Sequence, residues 1–192
     1  DFLRKVVRGE KMDIGEKVAI VGGGNTAMDA CRTAVRLGAK KVYNIYRRTK
    51  DEMPADLIEI EEAEEEGVIF RNLTNPIEYL SDENGRVNRV NLQIMELGEP
   101  DASGRRAPKP VAGATEILDV DTVILAIGQA VNAKPFDTDK TRKKAIAYDK
   151  DTFMTSIEGV FAGGDCGNDK ISIAIEAIGD AMKTSVSVDA YL

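Results

Sequence analysis

Histidine is absent from the 192 residues, so histidine acid-base catalysis and histidine metal ligation are excluded. Cysteine is scarce: Cys31 and Cys166 lie far apart and outside any CxxC pair, which suggests neither a zinc-ligand set nor a dithiol redox centre. No apolar run approaches the roughly 18 residues of a membrane helix, and Asp1-Phe2-Leu3-Arg4-Lys5 lacks the apolar core and small-residue cleavage site of a secretory leader. A soluble, cytoplasmic protein is the expectation. Positive charge is in deficit, and a net charge of −7 disfavours sequence-independent nucleic-acid binding. Most of the clustered acid lies between Glu59 and Glu66, a run expected to form a solvated helix face. An initiator methionine is also missing, in keeping with a piece cut from a longer protein, although processing leaves the same mark.

What remains is the composition of a globular protein, 43% apolar and 31% charged, long enough for one substantial domain or one domain and part of another. Residues 1 to 9 have the pattern of a short amphipathic helix stopped by Gly9. Lys17 to Val21 is an apolar, β-rich run suited to a strand buried on both faces. It enters Gly22-Gly23-Gly24, and apolar residues then recur at helical spacing from Asn25 to Leu37, with Gly38 ending the helix. Lys41 to Tyr46 is a second strand. A second helix is expected over Ala55 to Glu66 and a short strand over Val68 to Phe70.

The alternation then breaks. Ile77 to Leu80, Val87 to Leu97 and Thr115 to Val120 are strand-like, separated by the turn Asp82 to Gly85 and by a loop rich in Gly and Pro. Val123 to Ile127 should return to the parallel sheet. Beyond Val131 come a polar linker, short strands near Ala145 to Tyr148 and Gly159 to Ala162, and a final helix from about Ile171. The expected fold class is α/β, a Rossmann-like parallel sheet with an antiparallel β-meander.

The glycine loop carries the chemistry. In a Rossmann fingerprint Gly22 would allow the tight turn, Gly24 the approach of a pyrophosphate, and Ala27 close packing of helix on strand. The free N–H groups of the following helix would face the phosphates. An ordinary tight turn from strand to helix would show the same glycines. The end of the second strand distinguishes the dinucleotides: NAD sites place an acid there, whereas this chain has Arg47 and Arg48, about 25 residues beyond Gly22 and suited to a 2′-phosphate. The alternative is a surface pair balancing the acidic helix. A methyltransferase would also place an acid there, so the arginines argue against one. Phe161-Ala162-Gly163-Gly164-Asp165 is a second glycine cluster, equally open to a ligand-binding or a simple turn reading. Asp29 is a weak acid-base candidate, and a structural role suits it better.

Taken in order, Val18 to Asp29, Tyr46-Arg47-Arg48, Met53-Pro54-Ala55, Glu65 to Val68, Glu99 to Arg106, Ala126-Ile127-Gly128 and Gly159 to Asp165 resemble the small-subunit family of NADPH-dependent glutamate synthase. Relatives of that family include the N-terminal half of dihydropyrimidine dehydrogenase and electron-bifurcating ferredoxin:NADP oxidoreductases. The resemblance implies an NADP(H)-binding domain over residues 1 to 130 and the C-terminal remnant of a FAD-binding domain over 131 to 192. The first half of the FAD domain and an N-terminal iron-sulfur region would lie outside this chain.

The resemblance further implies that Gly24, Asn25, Thr26 and Ala27 hold the NADP pyrophosphate and Arg47 and Arg48 the 2′-phosphate, with Ala126, Ile127 and Gly128 beside the cofactor. FAD would lie against Gly164 and Asp165, its flavin near the helix at Ala174 to Ala177. The chain departs from the family at Ile173 and at Ala181-Met182, where Thr and Gly-Arg are usual. Implied is an enzyme passing hydride from NADPH to FAD and electrons onward to iron-sulfur centres or a large synthase subunit, the isolated fragment being inactive. No nucleic-acid or membrane partner is implied. A nucleotide-sensing or assembly module of the same fold, without turnover, is the alternative.

Overall fold

A computed structural model describes residues 1–100, 106–141, 144–167 and 174–192. The chain forms two compact units, Asp1–Ile127 and Gly128–Leu192. Part of the resembling string, Asp101 to Arg105, lies outside the described residues, as do the expected helix start at Ile171 and the departure at Ile173.

In the first unit a short helix α1 (Phe2–Val7) precedes β1 (Lys17–Val21), α2 (Asn25–Arg36) and β2 (Lys41–Tyr46). A 3-10 turn at Lys50–Glu52 leads to α3 (Leu57–Glu65) and β3 (Ile69–Asn72). The antiparallel strands β4 (Thr74–Ser81), β5 (Val87–Pro100) and β6 (Arg106–Asp119) follow, and then β7 (Thr122–Leu125). The parallel sheet runs β3-β2-β1-β7 and the antiparallel one β4-β5-β6. Successive side chains of a strand point to opposite faces, and the parallel sheet uses both. Val18, Ile20, Val42 and Tyr46 pack with α2 and α3. Ala19 and Ile45 pack with Val90, Leu92 and Val120 of the meander. The layers are therefore helices, parallel sheet and antiparallel sheet.

In the first unit four expectations need correction. The second helix begins at Leu57 instead of Ala55, because Asp56 is its N-cap and accepts a hydrogen bond from Ile58 N–H at 3.1 Å. The Gly- and Pro-rich stretch is for the most part strand: Met95 pairs with Pro110 and Leu97 with Pro108 across register shifts. Proline is tolerated because β6 is an edge strand, where a missing N–H breaks no ladder. Gln93 stitches the irregular region by donating to the carbonyls of Val111 and Ala114 at 2.7 and 2.9 Å. The strand ending in Ile127 stops at Leu125. Last, the acidic run of α3 is only partly a solvated face. Glu59, Glu62 and Glu66 hold Arg32 of α2 at 2.9, 2.5 and 2.8 Å, and Glu66 also takes Arg36 at 2.5 Å. Hydrogen bonds from Arg36 and then Arg32 hold the Glu66 carboxyl below the usual carboxylate range.

The second unit contains isolated bridges where short strands were expected, Lys140 with Ile146, Tyr148 with Thr155 and Met154 with Phe161. A 3-10 turn at Gly164–Cys166 and a long helix α4 (Ala174–Tyr191) complete it. Among the described residues no helix is long and apolar enough to cross a membrane.

Candidate functional site

The chain runs outward through β1, β2 and β3 on one side of β1, and β7 returns on the other. The carboxyl ends of β1 and β7 therefore flank a topological switch point, where ligands bind in open α/β sheets. The glycine loop leaves β1 at this place, and its three glycines have different tasks. Gly22 has φ +147°, and a Cβ there would stand 2.3 Å from the Ala126 carbonyl oxygen. At Gly23 a Cβ would meet the Tyr46 ring at 2.5 Å. These two are small because the protein itself fills the space. A Cβ on Gly24 would meet nothing within 4 Å, so Gly24 alone faces open space.

Gly24 caps α2 in an extended conformation. Its carbonyl accepts the Ala27 and Met28 amides at 2.8 and 3.2 Å. Ala27 is fully buried, so it supplies close packing and has no free donor. The amides of Gly24, Asn25 and Thr26 have no acceptor among the described residues, and the first turn of α2 carries no acid. Unsatisfied N–H groups and the positive end of a twelve-residue helix together favour an anion.

Neighbouring segments hold this loop in place, in ways that sequence motifs did not indicate. Ala55 N–H donates to the Gly23 carbonyl at 3.0 Å. Asp56 N–H donates to Asn25 Oδ1 at 2.8 Å, so the side-chain oxygen of Asn25 is engaged within the protein. Tyr46 hydroxyl donates to the Glu52 carbonyl at 2.9 Å. From inside β2, Asn44 Nδ2 donates to the Gly22 carbonyl at 2.9 Å. The available signal for Asn44 was a polar residue in the middle of an otherwise apolar strand.

The two arginines also separate. Arg47 is exposed and has no ion pair or hydrogen bond among the described residues. Arg48 is half-buried, and its Nε donates to the Arg106 carbonyl at 2.9 Å. Beside the loop, Ala126 N–H donates to the Val21 carbonyl at 2.8 Å; Ile127, the last residue of the first unit, is 72% exposed, and Gly128, the first of the second, has φ +96°. Asp29 is exposed on α2.

Gly164 and Asp165 belong to the second unit, where they border a cavity of about 690 Å³ together with Ala177, Ala181 and Thr184 of α4. Gly164 has φ +63°, and its N–H donates to Asp180 Oδ2 at 3.0 Å. Asp165 is exposed. Ala181 of the departing pair lines the cavity, whereas Met182 is 69% exposed.

Neither cysteine forms a disulfide. Burial pushes the Cys31 thiol up to about 12, opposed in part by the Asn44 amide. At pH 8 the Cys31 thiol is then protonated and a poor nucleophile. Iodoacetamide should leave Cys31 unmodified in the folded protein and alkylate it after denaturation, read by peptide mass spectrometry. Rapid native labelling would contradict the packing.

Residues 2–181 match the family described as pyridine nucleotide-disulphide oxidoreductase. The chain is 44% identical over 180 residues to "NADP(+)-dependent formate dehydrogenase subunit beta" of Moorella thermoacetica, covering 93% of this chain and 25% of that protein. It is 40% identical over 216 residues to "NADPH-Fe(3+) oxidoreductase subunit beta" of Geobacter sulfurreducens, covering 100% and 32%. Identity to "Glutamate synthase [NADPH] small chain" of Escherichia coli is 38% over 174 residues, covering 84% and 36%. The chain thus spans well under half the length of these curated relatives. Among solved structures, FprA of Mycobacterium tuberculosis in complex with NADPH superposes with a TM-score of 0.74 at 17% identity, over 92% of this chain and 53% of that one. Thioredoxin reductase of T. acidophilum gives 0.73 at 19% identity over the same shares. At such identities the likeness describes the fold.

Proposed function

Because the chain belongs to the pyridine nucleotide-disulphide oxidoreductase family, we propose that it is the NADP(H)-holding part of a flavoprotein oxidoreductase. In this reading residues 1 to 130 hold NADP(H), and residues 131 to 192 are the C-terminal part of a FAD-binding domain. One observation carries it: acceptor-free amides at the start of α2 sit one strand away from Arg47, a guanidinium without an acidic partner among the described residues.

The residues present suit a dinucleotide with an extra phosphate. Gly24, Asn25 and Thr26 would donate backbone N–H bonds to the diphosphate, with Gly24 leaving room for it. Arg47 would take the 2′-phosphate through two parallel bonds, with Arg48 adding charge from its anchored position. Ala126, Ile127 and Gly128 would border the cofactor at the switch point. In the second unit the left-handed Gly164 would let the backbone approach a ligand, and Asp165 could accept hydrogen bonds from sugar or ribityl hydroxyls. When bound, the nicotinamide and flavin would supply the redox chemistry, hydride transfer from NADPH to FAD and single-electron transfer toward iron-sulfur centres or a partner subunit. The part of this chain is to bind and orient. The relatives named as a beta subunit or small chain support a partner subunit.

Isothermal titration of this chain with NADPH, NADH and FAD tests the reading. NADPH should bind more tightly than NADH by about 10- to 100-fold, the worth of one or two charge-assisted bonds. FAD should show no measurable heat and no turnover should be seen, because much of the flavin surface would come from residues outside this chain. A preference for NADH, or tight FAD binding, would count against the proposal.

A further inference from the structure

We infer that Asn44 is a positioning residue for dinucleotide binding: its side-chain amide holds the Gly22 carbonyl and so sets the course of the loop that opens the Gly24, Asn25 and Thr26 amides to a diphosphate. This rests on the reading above and deepens it.

Asn44 is completely buried in the middle of β2. A strand in a parallel sheet covered on both faces favours an apolar side chain there, and leucine has nearly the same branched outline as asparagine. Asn44 gains little from the core. Its Oδ1 has no partner among the described residues, and burying a carbonyl oxygen without a donor is unfavourable. Its Nδ2 lies 3.8 Å from Cys31 Sγ, a weak acceptor. The one good bond Asn44 makes is the 2.9 Å contact with the Gly22 carbonyl.

That bond acts where the chain has most freedom. Gly22 occupies backbone space that only glycine enters readily, so its own dihedral preferences select no single course. Its N–H is held by the Ile45 carbonyl at 3.1 Å. Two consecutive residues of β2 therefore grip Gly22 from its two polar ends. In a trans peptide the C=O and the following N–H point in opposite directions. Fixing the Gly22 carbonyl thus fixes the Gly23 N–H, just as Ala55, by holding the Gly23 carbonyl, fixes the Gly24 N–H. Without Asn44 the Gly22–Gly23 peptide can rotate and carry Gly23 away from Ala55, so that the Gly24 N–H and the donors after it lose their preset direction.

The test compares Asn44→Leu with wild type, using NADP+ and adenosine 2′-monophosphate as probes and thermal unfolding as a control. The monophosphate carries the 2′-phosphate but no diphosphate. Asn44→Leu should melt at or above the wild-type temperature and lose NADP+ affinity by about tenfold or more as preorganisation is lost. Its affinity for the monophosphate should stay within about twofold, since that probe does not use the loop. Unchanged NADP+ binding overturns the inference. Equal loss of both probes also overturns it, because it marks a general structural role. Should Asn44→Leu not fold, Asn44→Ser, too short to reach Gly22, gives the same comparison, and failure of both to fold assigns Asn44 to the fold and overturns the inference. A wild-type chain that binds neither probe defeats the NADP(H) reading instead.

Discussion

Gly22→Ala is expected to destabilise the first unit by about 3 kcal/mol or more, combining a left-handed dihedral forced on alanine with overpacking. The new methyl carbon would stand 2.3 Å from the Ala126 carbonyl oxygen, and backbone cannot swing aside as the end of a side chain can. Relief would require β1 and β7 to part at the end where Ala126 N–H bonds the Val21 carbonyl. For a chain of this size the loss corresponds to a fall in Tm of roughly 10 °C. Gly24→Ala provides the contrast. Its φ of −96° is ordinary and a Cβ meets nothing within 4 Å, so stability should change by no more than about 1 kcal/mol. On the proposed reading NADPH affinity should nevertheless fall by about tenfold or more, because the methyl group would stand where the diphosphate would approach the backbone. Calorimetric unfolding and NADPH titration of both variants provide the check. Equal destabilisation, or full NADPH affinity in folded Gly24→Ala, would refute this division of labour.

If Arg47 holds the 2′-phosphate as proposed, Arg47→Ala should weaken NADPH by about 10- to 100-fold and leave NADH unchanged, because the variant would lack a charge-assisted bidentate contact to the one phosphate NADH lacks. Its side chain is exposed and has no partner among the described residues, so folding should be unaffected. Arg48→Ala should differ. The Nε bond to the Arg106 carbonyl joins the end of β2 to the meander, and losing it should cost about 1 kcal/mol of stability. Its effect on NADPH should be smaller than that of Arg47, because one edge of its guanidinium is already committed. Raising the salt concentration should erode the wild-type preference for NADPH and leave that of Arg47→Ala nearly flat, since exposed charges are screened. Should both variants lose NADPH and NADH alike, neither guanidinium reads the extra phosphate. Titrations with both coenzymes at two salt concentrations distinguish these outcomes.

Much of this molecule is written in short-range pattern. The apolar run Lys17 to Val21, the helical spacing from Asn25 and the run Lys41 to Tyr46 each specify their element through neighbours a few residues away, and the observed β1 and β2 match them. The glycine loop was legible for the same reason, as was the pair of arginines at a strand end. In two places where expectation failed, a local signal was overridden by a distant partner. The Gly- and Pro-rich stretch looked like a loop but is strand, because β5 offers it a ladder and the edge position forgives proline. The acidic run looked solvated, but α2 presents Arg32 to it.

By itself, then, the sequence determined the strand-helix-strand unit, the glycine turn and the cationic strand end, since each depends on dihedral preference and periodicity within one segment. The return of β7 to the parallel sheet was expected too, but only the tertiary structure decided that it would pair with β1, and that Gly22 and Gly23 yield to neighbouring atoms while Gly24 faces open space. It also decided that Arg47 stands without a partner among the described residues while Arg48 is tied, and that Asn44 holds the loop from within the sheet. The physical reason is that steric contact and hydrogen bonding act between atoms close in space. The partners here, Ala126 for Gly22, Ala55 for Gly23 and Arg106 for Arg48, are brought near only when the chain folds.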